Sequence, residues 1–397
     1  MSRRPLPHDV FIIAAKRTPF GTFGGKLKSA SATDLGVVAA RSALEAAGLA
    51  ADHVEQVIFG NVVQTSADAI YLARHVALRV GAPIGASALT INRLCGSGFQ
   101  SIVNGAQEIL LGEADVVIAG GTESMSQAPF AARDIRFGVR LGQQPALEDT
   151  LWSSLYDSWA GCSMGQTAEN LAREYGITRE DADAYALRSQ QRWAAAHAAG
   201  RFADELAPVS IEGRRGTEIV EVDEHPRPES TSADLARLKP SFGGVVTAGN
   251  ASGIGDGAGA LVLASAAAVE RHGLTPLARL VQWHVAGVEP KTMGFGPVPA
   301  IRGALERSGL QLADIDLIEV NEAFAPQFLA VQRALELPED RCNLEGGAIA
   351  MAHPLAASGS RIMAHLVHAL RWKNARYGLG SACIGGGQGI AVVIERV

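Results

Sequence analysis

The stretch AARSALEAAGL (Ala39–Leu49) returns as AIRGALERSGL (Ala300–Leu310), and this repetition decides the fold. Arg41 pairs with Arg302, Leu44 with Leu305, Glu45 with Glu306, Gly48 with Gly309 and Leu49 with Leu310, all at a separation of 261 residues. The same separation carries Ser97–Gly98 onto Ser358–Gly359. Two distant blocks sharing one offset mark two similarly folded halves. Under that offset Cys95 overlies Ala356 and Asn92 overlies His353. Equivalent loops of the halves then face each other across a pseudo-two-fold axis, a natural place for a shared site.

Around the repeat, short β-rich runs alternate with Ala-rich helical stretches. The runs Val10–Ala15, Gln56–Val62, Ala114–Ala119, Gly259–Ala264, Leu277–Gly287, Asp316–Val320 and Gly389–Glu395 read as strands. Most are continuously apolar, as expected for strands covered on both faces. Asp34–Ala47, Gly98–Leu111, Pro299–Ser308 and Ser358–Trp372 read as helices. The alternation predicts an α/β fold with substantial parallel sheet. The expected division is an N-terminal half over residues 1–122 plus 249–276, an inserted loop or lid over 123–248, and a C-terminal half over 277–397. The insertion holds a long helix, Arg179–Ala199, capped by Thr178 and stopped at Gly200. It also holds the Pro-rich segment Asp223–Ser230.

The 397 residues predict two to three domains, at about 150 residues each. Hydrophobic residues make up 47% and charged residues 19%, enough apolar material for a large core. The net charge of −6 argues against a nucleic-acid partner. No apolar run approaches the roughly 18 residues of a membrane span. No secretory signal is visible at the N-terminus. Cys95, Cys162, Cys342 and Cys383 are too few and too scattered for a disulfide scaffold, and no CxxC pair suggests zinc. A reducing, cytoplasmic compartment is therefore expected, where a lone cysteine is free to act as a nucleophile.

Cys95 in NRLCGSGFQSIVNGAQEIL ends an extended stretch, and Gly96–Ser97–Gly98 turn the chain into an amphipathic helix. At a helix N-terminus the dipole favours negative charge and pulls a thiol toward thiolate. The N–H of the first turn is free to bind an oxyanion. In GGAIAMAHPLAASG (Gly346–Gly359), His353 sits among small residues where a second helix begins, suited to a donor or base beside a substrate. In SACIGGGQG (Ser381–Gly389), Cys383 ends a strand and three glycines follow. In VNEAFAP, Asn321 and Glu322 place polar groups where a core strand meets a loop. His365 and His368 read as surface or core residues. GTFGGKL (Gly21–Leu27) lacks the full spacing of a phosphate-binding loop.

CGSG, NEAFA, GGAIAxxHPxxxSG and CIGGGQG, in this order, resemble the thiolases, the acyl-CoA acetyltransferases. RTPFGxFGG (Arg17–Gly25), GGTESMS (Gly120–Ser126), MGQTAEN (Met164–Asn170) and TAGNASG (Thr247–Gly253) extend the likeness across essentially the whole chain. The resemblance implies a five-layered αβαβα fold of two duplicated halves with a loop domain. It implies Cys95 as acyl-accepting nucleophile and Cys383 as acid/base. It also implies two oxyanion holes: one from His353 and a water on Asn321, the other from the N–H groups of Cys95 and Gly385. Ser252, Arg227 and Phe324 would contact the coenzyme A substrate, with Met164 at the short-acyl end. Neither a metal nor a redox cofactor is implied. The substrates would be acetyl-CoA, acetoacetyl-CoA or another 3-ketoacyl-CoA together with CoA, in a homodimer or homotetramer.

This chain departs from the family's pattern at Ala352 and Ala356, where glycine is usual, at Gly255 for asparagine and at Ser163 for histidine. A methyl at a position needing positive φ costs about 1–3 kcal/mol; otherwise it narrows the pocket and shortens the acyl chains accepted. Met164 tips the reading to acetyl-CoA C-acetyltransferase, with a degradative 3-ketoacyl-CoA thiolase of broader chain length as the alternative. A catalytically silent acyl-CoA-binding relative is a weaker reading, because all four catalytic residue types are retained. Ketoacyl synthases and hydroxymethylglutaryl-CoA synthases share the fold, but a second cysteine in CIGGGQG favours thiolase. No strand followed by GxGxxG supports a nicotinamide enzyme.

Overall fold

The computed structural model describes residues 5–214 and 216–397. The strands that carry the fold are β1 (Val10–Arg17), β2 (Gln56–Gly60), β3 (Ser87–Ile91), β4 (Val116–Ser124), β5 (Gly255–Ser265), β6 (Ala278–Gly287), β7 (Leu317–Val320), β8 (Tyr377–Ile384) and β9 (Gln388–Arg396). Their order is β7-β8-β9-β6-β1-β5-β4-β2-β3, and a short strand at Gly21–Thr22 adds to β5. Two residue pairs, Phe11–Arg279 and Ile12–Ala278, join β1 to β6 and so join the two half-sheets.

The half-sheets repeat one topology. In the first, β2 and β4 are parallel while β5 runs antiparallel between β4 and β1. In the second, β7 and β8 are parallel while β9 runs antiparallel between β8 and β6. The offset of 261 residues maps β2 onto β7 at their first residues, Gln56 and Leu317. Both halves also slip register once on their first strand, at Ile12/Ala14 and at Leu280/Gln282. The substantial parallel sheet expected is limited to the β7–β8, β2–β3 and β2–β4 pairings, and antiparallel pairings outnumber parallel ones. The apolar runs report burial on both faces, and burial does not fix strand direction.

Five layers follow from the alternation of side chains along each strand. Val117 faces the central layer and Ile118 the outer one; on the other half Val392 faces the centre and Val393 the outside. Helices Ala32–Ala47 and Leu72–Val80 cover the first outer face, and Pro297–Ser308 and Ala325–Leu335 cover the second. Between the half-sheets lie helices Ser97–Leu111 and Ala357–Trp372, packed through Phe99, Ile102, Met363 and Val367. Their first turns nearly touch. A Cβ on Gly98 would lie 2.5 Å from the Ser360 nitrogen, and one on Gly359 would lie 2.4 Å from the Phe99 nitrogen. These two glycines are repeat equivalents, so the pseudo-two-fold axis passes between them. That crossing brings the loops before both helices to one place.

The chain leaves the first half after Ser124 and returns at Gly255, whereas the second half makes the same step between Ile384 and Gln388. The long excursion contains helices Met164–Glu174 and Arg179–Ala198, the latter closed by a Thr178–Asp181 capping box. It is tied down by buried charge. The fully buried Arg17 guanidinium meets Glu205 at 2.6 Å and Asp223 at 2.6 and 3.0 Å. His365 bridges Glu205 at 2.9 Å and Glu345 at 3.2 Å. Burial alone would lower the His365 pKa, but Glu205 above all raises it to about 10. His365 is thus a core cation. Glu319 and Glu345 gather with it, and Arg361 faces Glu319 at 3.4 Å.

Candidate active site

Cys95 sits in the one-turn 3-10 segment Leu94–Gly96 ahead of helix Ser97–Leu111. The turn holds Leu94 at a positive φ of 47°. Ser97 fixes it, accepting from the Arg93 N–H at 2.9 Å and donating to the Leu94 carbonyl at 2.7 Å. Burial pushes the thiol up to about 11, against the N–H groups of Gly385 and of Cys95 itself, while the Glu123 carboxylate adds to the rise. The thiolate expected from the helix terminus is therefore not the resting form. A helix end contributes about 0.3–1 kcal/mol, up to about 2 when partly buried, and full desolvation outweighs it.

Cys383 ends β8 with no exposure, and its pKa is raised by burial and then by the neighbouring Cys95. Gly385 opens the turn to β9, in which Gly386 and Gly387 take positive φ. His353 is buried, and desolvation followed by the Arg361 charge lowers its pKa to about 3, so the imidazole is neutral. Its backbone N–H donates to the Gly253 carbonyl at 2.8 Å. Its Nδ1 lies 2.5 Å from the Ser358 hydroxyl, and its Nε2 lies 3.3 Å from the Asn321 amide nitrogen. Asn321 directly follows β7, and among the described residues its buried Oδ1 has no hydrogen-bond partner.

Cys95 and His353 face a cavity of about 200 Å³, whose lining includes the half-exposed Trp152. Cys95, His353, Met164, Ser252 and Phe324 line it. Cys383 packs against Met293 and Ala323 in its wall, beside Met164 and Phe324. Arg227 is exposed and outside the lining; its backbone N–H donates to Gln190. Within the same Pro-rich segment, His225 instead reaches the segment before His353, Nδ1 to the Ala350 carbonyl at 2.9 Å. The lining also includes Met125, Trp152, Leu155, Phe242 and Met293, which sequence reasoning missed. They come from separate segments, and no motif or periodicity joins them.

Glu123 of GGTESMS was another residue without an expected role. It is fully buried and accepts from the N–H groups of Val62, Val63 and Ala356 at 3.1, 2.9 and 3.1 Å and from the Asn61 amide at 3.2 Å. It thereby clamps the turn after His353 to the first half. Desolvation raises its pKa to about 7.

The two alanines differ. Ala356 has ordinary helical angles, φ −72° and ψ −26°. Ala352, directly before His353, has φ 79° and ψ 172°, a region almost restricted to glycine. Neither lines the cavity, so the methyls do not narrow it, and the expected loss of long-chain tolerance has no basis in the geometry. The strain is accommodated opposite Gly255, where a Cβ would lie 2.9 Å from the Ala352 Cβ and 2.5 Å from the Gly21 carbonyl oxygen. Ala352→Gly is expected to raise stability by about 1 kcal/mol, relief of strain exceeding the added chain entropy. Gly255→Ala is expected to cost about 1–3 kcal/mol, partly recovered in the double variant. Urea unfolding midpoints of the parent and the three variants decide this; an Ala352→Gly midpoint at or below that of the parent sinks it.

Residues 10–267 match the family described as Thiolase, N-terminal domain, and residues 274–396 match Thiolase, C-terminal domain. The chain is 59% identical over 392 residues to a mitochondrial 3-ketoacyl-CoA thiolase of Homo sapiens, covering 98% of this chain and 99% of that protein. It is 48% identical over 390 residues to a probable acetyl-CoA acetyltransferase of Escherichia coli, covering 98% and 99%. The crystal structure of human mitochondrial 3-ketoacyl-CoA thiolase in complex with CoA superimposes with a TM-score of 0.97, at 58% identity and with both chains fully covered. The five-layered duplicated fold expected from the sequence is therefore established. The cytoplasmic expectation is overturned, since the relatives at 58–59% carry mitochondrial names. Free cysteines report reducing conditions, which more than one compartment provides.

Proposed function

The chain belongs to the thiolase family and is an acyltransferase of that type, and on this premise we propose that it is a 3-ketoacyl-CoA thiolase acting on chains longer than acetoacetyl. The short-chain acetyl-CoA C-acetyltransferase reading gives way here. Relatives named 3-ketoacyl-CoA thiolase stand at 59% identity, and those named acetyl-CoA acetyltransferase at 43–48%. The observation that carries the proposal is that Cys95 and His353 line one mostly apolar cavity, with Cys383 packed against its wall and Asn321 against His353.

In the proposed reaction, the Cys95 sulfur attacks the 3-keto carbon of the substrate and gives up its proton to the neutral His353. The tetrahedral intermediate collapses by breaking the bond between C2 and C3, leaving an acyl-Cys95 thioester and the enolate of acetyl-CoA. Cys383 protonates that enolate on C2. The Cys383 thiolate then takes the proton of an incoming CoA thiol, whose sulfur displaces the acyl group from Cys95, and the departing Cys95 thiolate takes its proton back from His353. Covalent catalysis divides one difficult cleavage into two displacements. The N–H groups of Cys95 and Gly385 face the acyl oxygen. His353, with a water held by Asn321, faces the thioester oxygen, in a site dry enough for such donors to act strongly. The chemistry calls on no metal and no redox cofactor. Ser252 and Phe324 would guide the pantetheine. Arg227, on the exposed rim, would meet the nucleotide end.

Thiolysis measured against 3-ketoacyl chains of four to sixteen carbons tests the proposal. The expected kcat/KM rises beyond four carbons by about tenfold or more, each buried methylene contributing on the order of 0.8 kcal/mol. A rate that falls steadily from four carbons restores the short-chain reading.

A homo-oligomer fits the surface. β3 closes the sheet with its outer edge unpaired, and Leu89 on it is 44% exposed beside exposed Ile84, Ile70 and Tyr71. An apolar open edge of this kind invites a second copy. Light scattering of Leu89→Lys against the parent checks it, with dissociation expected.

A further inference from the structure

His353 is served at Nδ1 by one side chain among the described residues, Ser358, in the first turn of the helix that begins beside it. The Ser358 oxygen lies 2.5 Å from Nδ1 and 3.1 Å from the Pro354 carbonyl. A hydroxyl has one proton, and a carbonyl can only accept. The proton therefore goes to Pro354, and the oxygen is left to accept from Nδ1–H. That leaves Nε2 bare, which is the form able to accept from the Asn321 amide nitrogen at 3.3 Å. The chain Asn321 to His353 to Ser358 to Pro354 is then satisfied at every link.

The duplication supplies an independent observation. Ser358 is the repeat equivalent of Ser97, which holds the Cys95 turn with the same two-sided hydroxyl, accepting from an N–H and donating to a carbonyl. In the second half the accepted N–H belongs to the imidazole instead of the backbone.

We propose that Ser358 is a positioning residue that fixes the His353 tautomer, keeping Nε2 basic to receive the Cys95 proton before it serves as a donor. Once the sulfur's proton has moved to Nε2, the imidazolium keeps Nδ1–H on Ser358, and the new Nε2–H faces the developing oxyanion. Base comes first and donor second, with no proton gained or lost. This rests on the thiolase reading above and adds the residue that sets the tautomer.

Without the hydroxyl, a buried Nδ1–H has no acceptor, so the neutral ring shifts its proton to Nε2 and loses its basicity. Ser358→Ala is expected to lower kcat by about 10²-fold, the scale of a lost general base, with KM changed less than about twofold because Ser358 does not line the cavity. Alkylation of Cys95 by iodoacetamide, followed by mass spectrometry without any substrate, should slow about tenfold at neutral pH and need higher pH to recover. Ser358→Thr keeps donor and acceptor and should retain the parent's alkylation profile. Unchanged kcat in Ser358→Ala, or lost kcat with an unmoved alkylation profile, overturns the proposal. If Ser358→Ala does not fold, Ser358→Thr decides, and a displaced profile in it overturns the proposal. An inactive parent enzyme would instead refute the thiolase reading, a separate outcome.

Discussion

Cys95→Ala is expected to lower thiolysis by more than about 10⁴-fold and to leave no acyl-enzyme after incubation with a 3-ketoacyl-CoA. Cys383→Ala is expected to lose about 10²–10⁴-fold, the range of a displaced acid/base, while Cys95 stays open to alkylation. The two sulfurs thus separate by readout: one variant loses the covalent intermediate, the other its turnover. The pH behaviour follows from burial. With the Cys95 thiol near 11 and His353 near 3, the neutral pair persists between those values. Alkylation of the free enzyme should then be slow at pH 7 and climb on the alkaline side. A plateau reached by pH 6 would show a resting thiolate–imidazolium pair and defeat this account. A covalent acyl-enzyme still trapped in Cys95→Ala would defeat the nucleophile assignment itself.

Arg17→Leu is expected to cost about 3–5 kcal/mol, because it leaves the Glu205 and Asp223 carboxylates buried without their cation. The guanidinium is the pin between β1 and the excursion, so its loss should loosen the cavity walls as well as lower the unfolding midpoint. The pH window has two edges. Burial opposes the Glu205 charge, but Arg17 and then His365 hold its pKa near 2 against a free value of 4.5. Its contribution is present above 4.5 and fades as pH falls through 2. His365, raised from 6.5 to about 10, contributes fully below 6.5 and fades as pH rises through 10. The cluster is fully effective between about 4.5 and 6.5. Denaturation of Arg17→Leu across that range, compared with the parent, measures the difference; a change under about 1 kcal/mol would reduce the cluster to a filler.

The duplicated frame is legible in the sequence because Leu44/Leu305 and Gly98/Gly359 are tied to helix packing that both halves repeat. Cys95, His353 and Cys383 are legible because each stands where a glycine-rich turn meets a strand or helix end. β3 is not, since SALTI mixes polar and apolar residues, as an edge strand with one neighbour permits. Of β8 only the end at Cys383 is legible; its start is hidden by the glycines Gly378 and Gly380, which make room for Leu370 and for Met363 and Phe99. The walls Trp152, Phe242 and Met293 depend on where the excursion folds back, and no local pattern encodes that. Ala352 shows the opposite lesson: its departure from the family's glycine was visible in the chain, while its compensation at Gly255 required coordinates.

The excursion begins and ends on adjacent antiparallel strands, Ser124 opposite Asp256, exactly where the twin half needs a bare hairpin between Ile384 and Gln388. Its length is therefore independent of the frame that aligns the two sulfurs. Mutation can remodel which tails are admitted while the bond-breaking geometry is inherited unchanged, so diversification of this architecture is free to run through a single doorway.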